Sequence, residues 1–138
     1  MARPDHVFGD TSFFFACLEP LDASHQRALE MARRVADRRW VVHTTWDVVS
    51  ETTTLLRYRS SFAAAVSFLS DVKPTLRMAE YGSRVRVEAE EIFRQYARER
   101  RLSLCDAISF VVITTLLDRP PCLTFDDDFR ALGLTVVN

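Results

Sequence analysis

Only three glycines, Gly9, Gly82 and Gly133, occur in the 138 residues, so neither a phosphate-cradling P-loop nor a dinucleotide-binding fingerprint can be assembled. Nucleotide cofactors are set aside on that ground. Cysteine is as scarce. Cys17, Cys105 and Cys122 are odd in number, widely spaced and without a Cys-x-x-Cys, which points to reduced packing residues rather than a disulfide framework. No apolar run reaches the length of a signal-peptide core or a membrane span, and Met1 to His6 leads straight into the first predicted strand. A cytoplasmic protein without membrane contact is expected. Lysine is reduced to Lys73 alone, so the basic side chains are almost all arginine, the better fork for phosphate. That bias fits a genome that spells basic residues as Arg, and it also fits an Arg-lined groove. The three histidines, His6, His25 and His43, share no ligand spacing, and no Gly-x-Ser-x-Gly elbow supports a serine triad.

What the chain does have is a globular composition, 48% hydrophobic with ten phenylalanines, in a length suited to one domain spanning 1–138. Strand and helix signals alternate. A short apolar run over 6–8 precedes Asp10-Thr11-Ser12, the residue types that cap a helix, here predicted over 13–18. Helices follow over 23–38, 46–57, 62–71, from 82 onward and 104–117, with strands over 40–43, 75–78, 122–125 and 135–137. The helix over 104–117 is apolar almost all round, which marks it as buried on several sides. This alternation predicts an α/β fold: a central parallel sheet of about four to five strands, helices on both faces, and the first strand near the centre.

Four acidic positions fall where a strand ends or a covering helix begins: Asp10, Glu51, Asp106 and the cluster Asp126-Asp127-Asp128. In an open α/β sheet those places share the carboxyl edge, where ligands bind. Glu51 and Asp106 stand among apolar or small neutral neighbours, which argues against simple surface solvation. Carboxylates gathered in one place repel one another and lose hydration, so they need a cation. An all-oxygen set suits Mg²⁺ or Mn²⁺. Each acid also has a plainer reading: Asp10 and Asp106 as helix caps, Glu51 as a partner for Arg57 or Arg59, the triple Asp as a turn and cap.

The ordered motifs Asp10-Thr11-Ser12, Glu51 in a helix opened by Thr44-Thr45, Ser103-Leu104-Cys105-Asp106-Ala107 and Thr124-Phe125-Asp126-Asp127-Asp128 resemble those of PIN-domain ribonucleases. The small toxins of VapBC-type toxin-antitoxin pairs are the most similar, and the resemblance spans nearly the whole chain. It implies a PIN-like fold and a metal-dependent endoribonuclease. Asp10, Glu51, Asp106 and Asp126 would hold Mg²⁺ or Mn²⁺, Asp128 stands in reserve for Asp126, and Thr11 or Ser12 is the supporting hydroxyl. RNA as substrate, a small antitoxin as partner and a homodimer formed near 62–69 are implied with it. The alternative is a catalytically inactive PIN-like module for binding or dimerisation. The chain departs from the family at Gly9, where a bulky strand residue is commoner; this is expected to loosen the backbone around Asp10. It departs also at Cys105, and at Asp127, which blurs the fourth acid.

Overall fold

The computed structural model describes residues 5–138, so the expectation for Met1 to Pro4 lies outside the described residues. The elements, in order, are β1 (His6–Gly9), α1 (Thr11–Leu18), α2 (His25–Arg38), β2 (Val41–Thr44), α3 (Trp46–Arg59), α4 (Phe62–Ser67), β3 (Arg77–Met78), α5 (Ser83–Tyr96), α6 (Leu104–Thr115), β4 (Cys122–Leu123) and α7 (Asp127–Ala131). All strand pairs are parallel, and the sheet order is β3-β2-β1-β4, flanked by the seven helices.

This order positions the site. From β1 the chain steps outward to β2 and then β3, and afterwards crosses back to set β4 on the other side of β1. The reversal makes a topological switch point at the carboxyl ends of β1 and β4, where the loops diverge and leave a crevice. Beneath it lies the core. Val7, Phe8, Leu123, Val112, Ile113, Phe68 and Phe129 are fully buried, and α6 buries seven of its twelve residues, Asp106 among them. A helix so enclosed fixes its N-terminus against the sheet.

Four predicted spans end differently, the first being the strand over 122–125, which is paired only over Cys122–Leu123. The helix over 62–71 is α-helical only to Ser67 and then widens into a π-turn, Phe68–Val72, before a 3₁₀ turn, Lys73–Thr75. Pro74 is the cause: it lacks an N–H and its ring crowds the preceding turn, so the helix loosens its register ahead of it. That 3₁₀ turn also consumes the start of the strand predicted over 75–78, leaving Arg77–Met78 as the edge. The final strand, 135–137, reduces to a single parallel bridge between Val136 and Cys122. Because β4 is two residues long, it offers one rung to a further neighbour, and Cys122 uses it through Thr135 and Val137.

Candidate active site

Asp10 follows β1 directly. Its extended backbone, φ −100° and ψ 160°, makes it the N-cap of α1, and only 3% of its surface is exposed. Three donors converge on one oxygen, Oδ2: the Thr124 hydroxyl at 2.8 Å, the Ser12 hydroxyl at 2.9 Å and the Ser12 backbone N–H at 3.4 Å. Both hydroxyls accept in turn from the loop after β4. Phe125 N–H donates to Ser12 at 2.9 Å and Asp126 N–H to Thr124 at 3.0 Å. Hydrogen bonds in such series polarise one another. They tie Asp10 to the other side of the switch point.

The remaining acids arrive on separate elements. Asp106 is the third residue of α6 and half of a capping box: Ser103 Oγ accepts from its N–H at 3.0 Å, and its own Oδ2 accepts from the Ser103 N–H at 3.0 Å. Asp126 caps α7, its Oδ1 accepting from the Asp128 N–H at 2.9 Å. Glu51 projects from the second turn of α3, whose cap is Thr45. Asp10, Thr11, Ser12, Glu51, Ser103, Asp106, Phe125 and Asp126 line one cleft of about 470 Å³. Asp128 and the exposed Asp127 do not line it; Asp128 supplies its backbone to Asp126.

The charges in this cleft are mutually unfavourable. Burial pushes the carboxyl of Asp10 above its ordinary value, against the hydrogen bonds from Thr124 and Ser12. Asp106 rises to about 7, first through burial and then through the charge of Asp10. Glu51 and Asp126 are also raised by burial, and the charge of Asp10 adds to both. Asp10 therefore acts on all three other acids, which places it electrostatically at the centre. The N-termini of α1 and α6 open on the cleft, and their dipoles ease part of this repulsion.

Capping and ligation are not rivals here. The caps at Asp10, Asp106 and Asp126 each bind one carboxyl oxygen to the backbone, Oδ2, Oδ2 and Oδ1, and so orient the other without occupying it with the same bonds. The donor set is all oxygen and anionic, and the Thr11 hydroxyl adds one more oxygen. It is buried beside Glu51, close enough to favour that residue's charged form yet without a partner in full hydrogen-bonding geometry. Such a set fits a hard divalent cation with several waters in its shell. Among the described residues no three acidic, His or Cys side chains already stand as a closed coordination group. Four like charges with no counter-ion have no reason to draw together.

Sequence reasoning missed Thr124. At a strand end its type reads as a β-former, and nothing local signals that its hydroxyl spans 114 residues to Asp10. Thr124→Val keeps the shape, removes the donor to Asp10 and leaves the Asp126 N–H unmatched. It is expected to lower turnover roughly ten- to hundredfold, as loss of a residue orienting a ligand does, and Thr124→Ser should restore most of it. Equal kcat/KM in Thr124→Val and wild type would remove Thr124 from the site.

No family model matches the sequence, and no curated protein matches it. The crystal structure of Mycobacterium tuberculosis VapC20, a sarcin–ricin loop cleaving toxin, is similar: 32% identity, TM-score 0.81, covering 95% of this chain and 98% of that one. With that likeness over nearly the whole of both chains, and with the parallel sheet and element order described above, the chain belongs to the VapC family of PIN-domain proteins.

Proposed function

We propose that this protein is an endoribonuclease that hydrolyses RNA phosphodiester bonds with Mg²⁺ or Mn²⁺, the toxin of a type II toxin-antitoxin pair. The observation that carries this reading is the single cleft lined by Asp10, Glu51, Asp106 and Asp126 at the switch point of the sheet. Asp10, Glu51, Asp106 and Asp126 would hold the ion, with the backbone N–H of Asp128 orienting the Asp126 carboxylate and Thr11 and Ser12 as supporting hydroxyls. When bound, the ion supplies positive charge to the phosphate in the transition state and makes water more acidic. The protein supplies position. Ser12 and Thr124 hold one edge of Asp10, and Ser103 holds one edge of Asp106, so the facing oxygens are set before substrate arrives. Unneutralised, the four acids repel a phosphodiester, so seating of the scissile phosphate among them depends on the cation.

The caps also favour a second reading, an inactive module whose acids serve only as helix ends. It accounts for one oxygen of Asp10, Asp106 and Asp126 but not for Glu51, which caps nothing and still faces Asp10. Partners follow from the surface. Tyr58, Phe62, Val66 and Leu69 are exposed on α3, α4 and the π-turn, a patch suited to a second copy or to a small antitoxin. Among the described residues no helix is long and apolar enough to cross a membrane.

The test is cleavage of an RNA stem-loop carrying the sarcin–ricin sequence, alongside total RNA. Cutting in Mg²⁺ or Mn²⁺ that stops in EDTA is expected. No cutting of either RNA with any divalent ion, by folded protein free of a partner, would count decisively for the inactive module.

A further inference from the structure

The cleft has a cationic rim that the acids do not use. Arg59 lines it at the end of α3, its guanidinium carbon 5.6 Å from the centre of the Phe15 ring. Arg27, in the first turn of α2, lies 5.1 Å over the ring of Phe125, another lining residue. Phe125 and Asp126 also border a smaller recess of about 80 Å³ that Arg27 lines, so the second pair extends the cleft beyond its acidic floor. Neither arginine forms an ion pair among the described residues, where Arg94 pairs with Glu90 and Glu91, and Arg130 with Asp127.

That is unexpected beside four carboxylates, and the spacing explains part of it. Glu51, Leu55 and Arg59 stand at successive four-residue steps on one face of α3, so about 12 Å of helix separates the first from the last. Arg59 is out of reach of the acid on its own helix. Phe15 stands one four-residue step beyond Thr11 on α1, Arg59 two such steps beyond Glu51 on α3, and α1 packs along α3. A guanidinium held over a phenyl ring keeps its stem ordered and leaves N–H groups free for another acceptor. Two walls of the cleft, α3 with α1 and α2 with the loop after β4, each carry one such fork.

We propose that Arg27 and Arg59, seated on Phe125 and Phe15, bind phosphates of the RNA strand that neighbour the one being cut. This rests on the ribonuclease reading above. An acidic floor can take one phosphate only with its cation, whereas the adjoining phosphates of the same strand carry charge with no cation assigned to them. The two free forks are the matching groups, since Arg binds phosphate oxygens bidentately. They are positioning residues: they set where along the strand the scissile phosphate falls and do not take part in the bond change.

The test uses the full chain with Arg27→Met, Arg59→Met and the double variant, which keep an apolar stem on each phenylalanine and lose the fork. Binding of the sarcin–ricin stem-loop and of a scrambled single-stranded RNA is measured in EDTA over a range of salt. Each substitution is expected to lower the slope of log affinity against log salt by about 0.7, one phosphate contact to a single strand, and to weaken binding on the order of tenfold. In Mg²⁺ the KM for cleavage should rise with kcat little changed, and Arg59→Lys should recover the slope. Arg94→Met, an exposed arginine already paired on α5, is the control and should change neither. If wild type binds and cuts RNA while the double variant keeps its slope, affinity and KM, the rim assignment is overturned and the enzyme reading stands. If wild type neither binds nor cuts any RNA, both fall, and an acidic protein segment becomes the better match for the two forks.

Discussion

Asp106→Asn should leave a folded protein that cuts RNA on the order of a thousandfold more slowly, if at all, the usual scale for losing a group that stabilises charge in the transition state. The variant is chosen because asparagine keeps what the cap requires. Its side-chain oxygen can still accept from the Ser103 N–H, so the start of α6 is preserved while the charge is lost. Stability in the absence of divalent ions gives the second readout, with the opposite sign. Asp106 is 8% exposed, and its carboxyl is pushed from 3.8 up to about 7, so the folded state holds a proton that the unfolded state releases. A raised carboxyl pKa stabilises the fold fully below about pH 4, and that stabilisation is lost as pH rises through 7, on the order of 4 kcal/mol in all. Urea melts in EDTA should therefore show wild type weakening across this window more steeply than Asp106→Asn. The variant should equal or exceed wild type in stability at pH 7.5, as expected when an enzyme holds unfavourable charges for function. A variant that cuts RNA within a few-fold of wild type would return Asp106 to the status of a helix cap.

Mg²⁺ or Mn²⁺ should also remove this pH dependence from wild type, because a bound cation favours the ionised carboxylates and stabilises only the folded chain. A wild-type melting curve in Mg²⁺ that keeps the slope seen in EDTA would mean the acids do not share an ion.

How far the site could be read in advance depended on whether its chemistry is local. Asp10-Thr11-Ser12 was legible because a cap after a strand is a three-residue signal, and Asp106 because an acid amid Leu104, Ala107 and Ile108 has little to do at a surface. Alternating periodicities gave the parallel sheet and the position of β1 within it. What stayed hidden was long-range or collective. Thr124 meets Asp10 only after β4 has crossed to its place, and Arg27 looks like an ordinary solvated helix position, and Arg59 like a partner for Glu51, until the rings beneath them are known. The weakness of the last strand depends on the two-residue length of β4, which no pattern in 135–137 records. The plainer reading of the acids as caps and the sharper one as ligands were set against each other from sequence. Geometry makes them compatible, since a cap takes one oxygen of two.

Gly9→Ala should destabilise the protein by about 1–3 kcal/mol, the usual cost of overpacking a full core, although alanine is small and favours the folded state elsewhere. From sequence, glycine before Asp10 suggests a loosened backbone; the structure gives it the opposite role. A Cβ at position 9 would lie 2.4 Å from Cζ of Phe14 and 2.9 Å from its Cε2, because that ring fills the space a side chain would take. Phe14 has little room to retreat: it is 2% exposed, edge-on to Phe13 and 5.4 Å from the buried ring of Phe68. The strand is pinned along both edges as well, since the Thr44 hydroxyl on β2 donates to the Gly9 carbonyl at 2.9 Å and the Asp10 N–H donates to the Leu123 carbonyl on β4 at 3.1 Å. The close approach thus makes the segment ahead of Asp10 rigid. Relief has to come through the backbone, and Asp10 would move with it, so cleavage should fall by more than the loss of stability implies. Phe14→Leu provides the check, as it opens the space that the new methyl needs. A double-mutant cycle should return at least about 1 kcal/mol of favourable coupling between Gly9→Ala and Phe14→Leu. Strict additivity in chemical melts would mean that the ring and the glycine do not depend on each other, and that the strand before Asp10 is held by its hydrogen bonds alone.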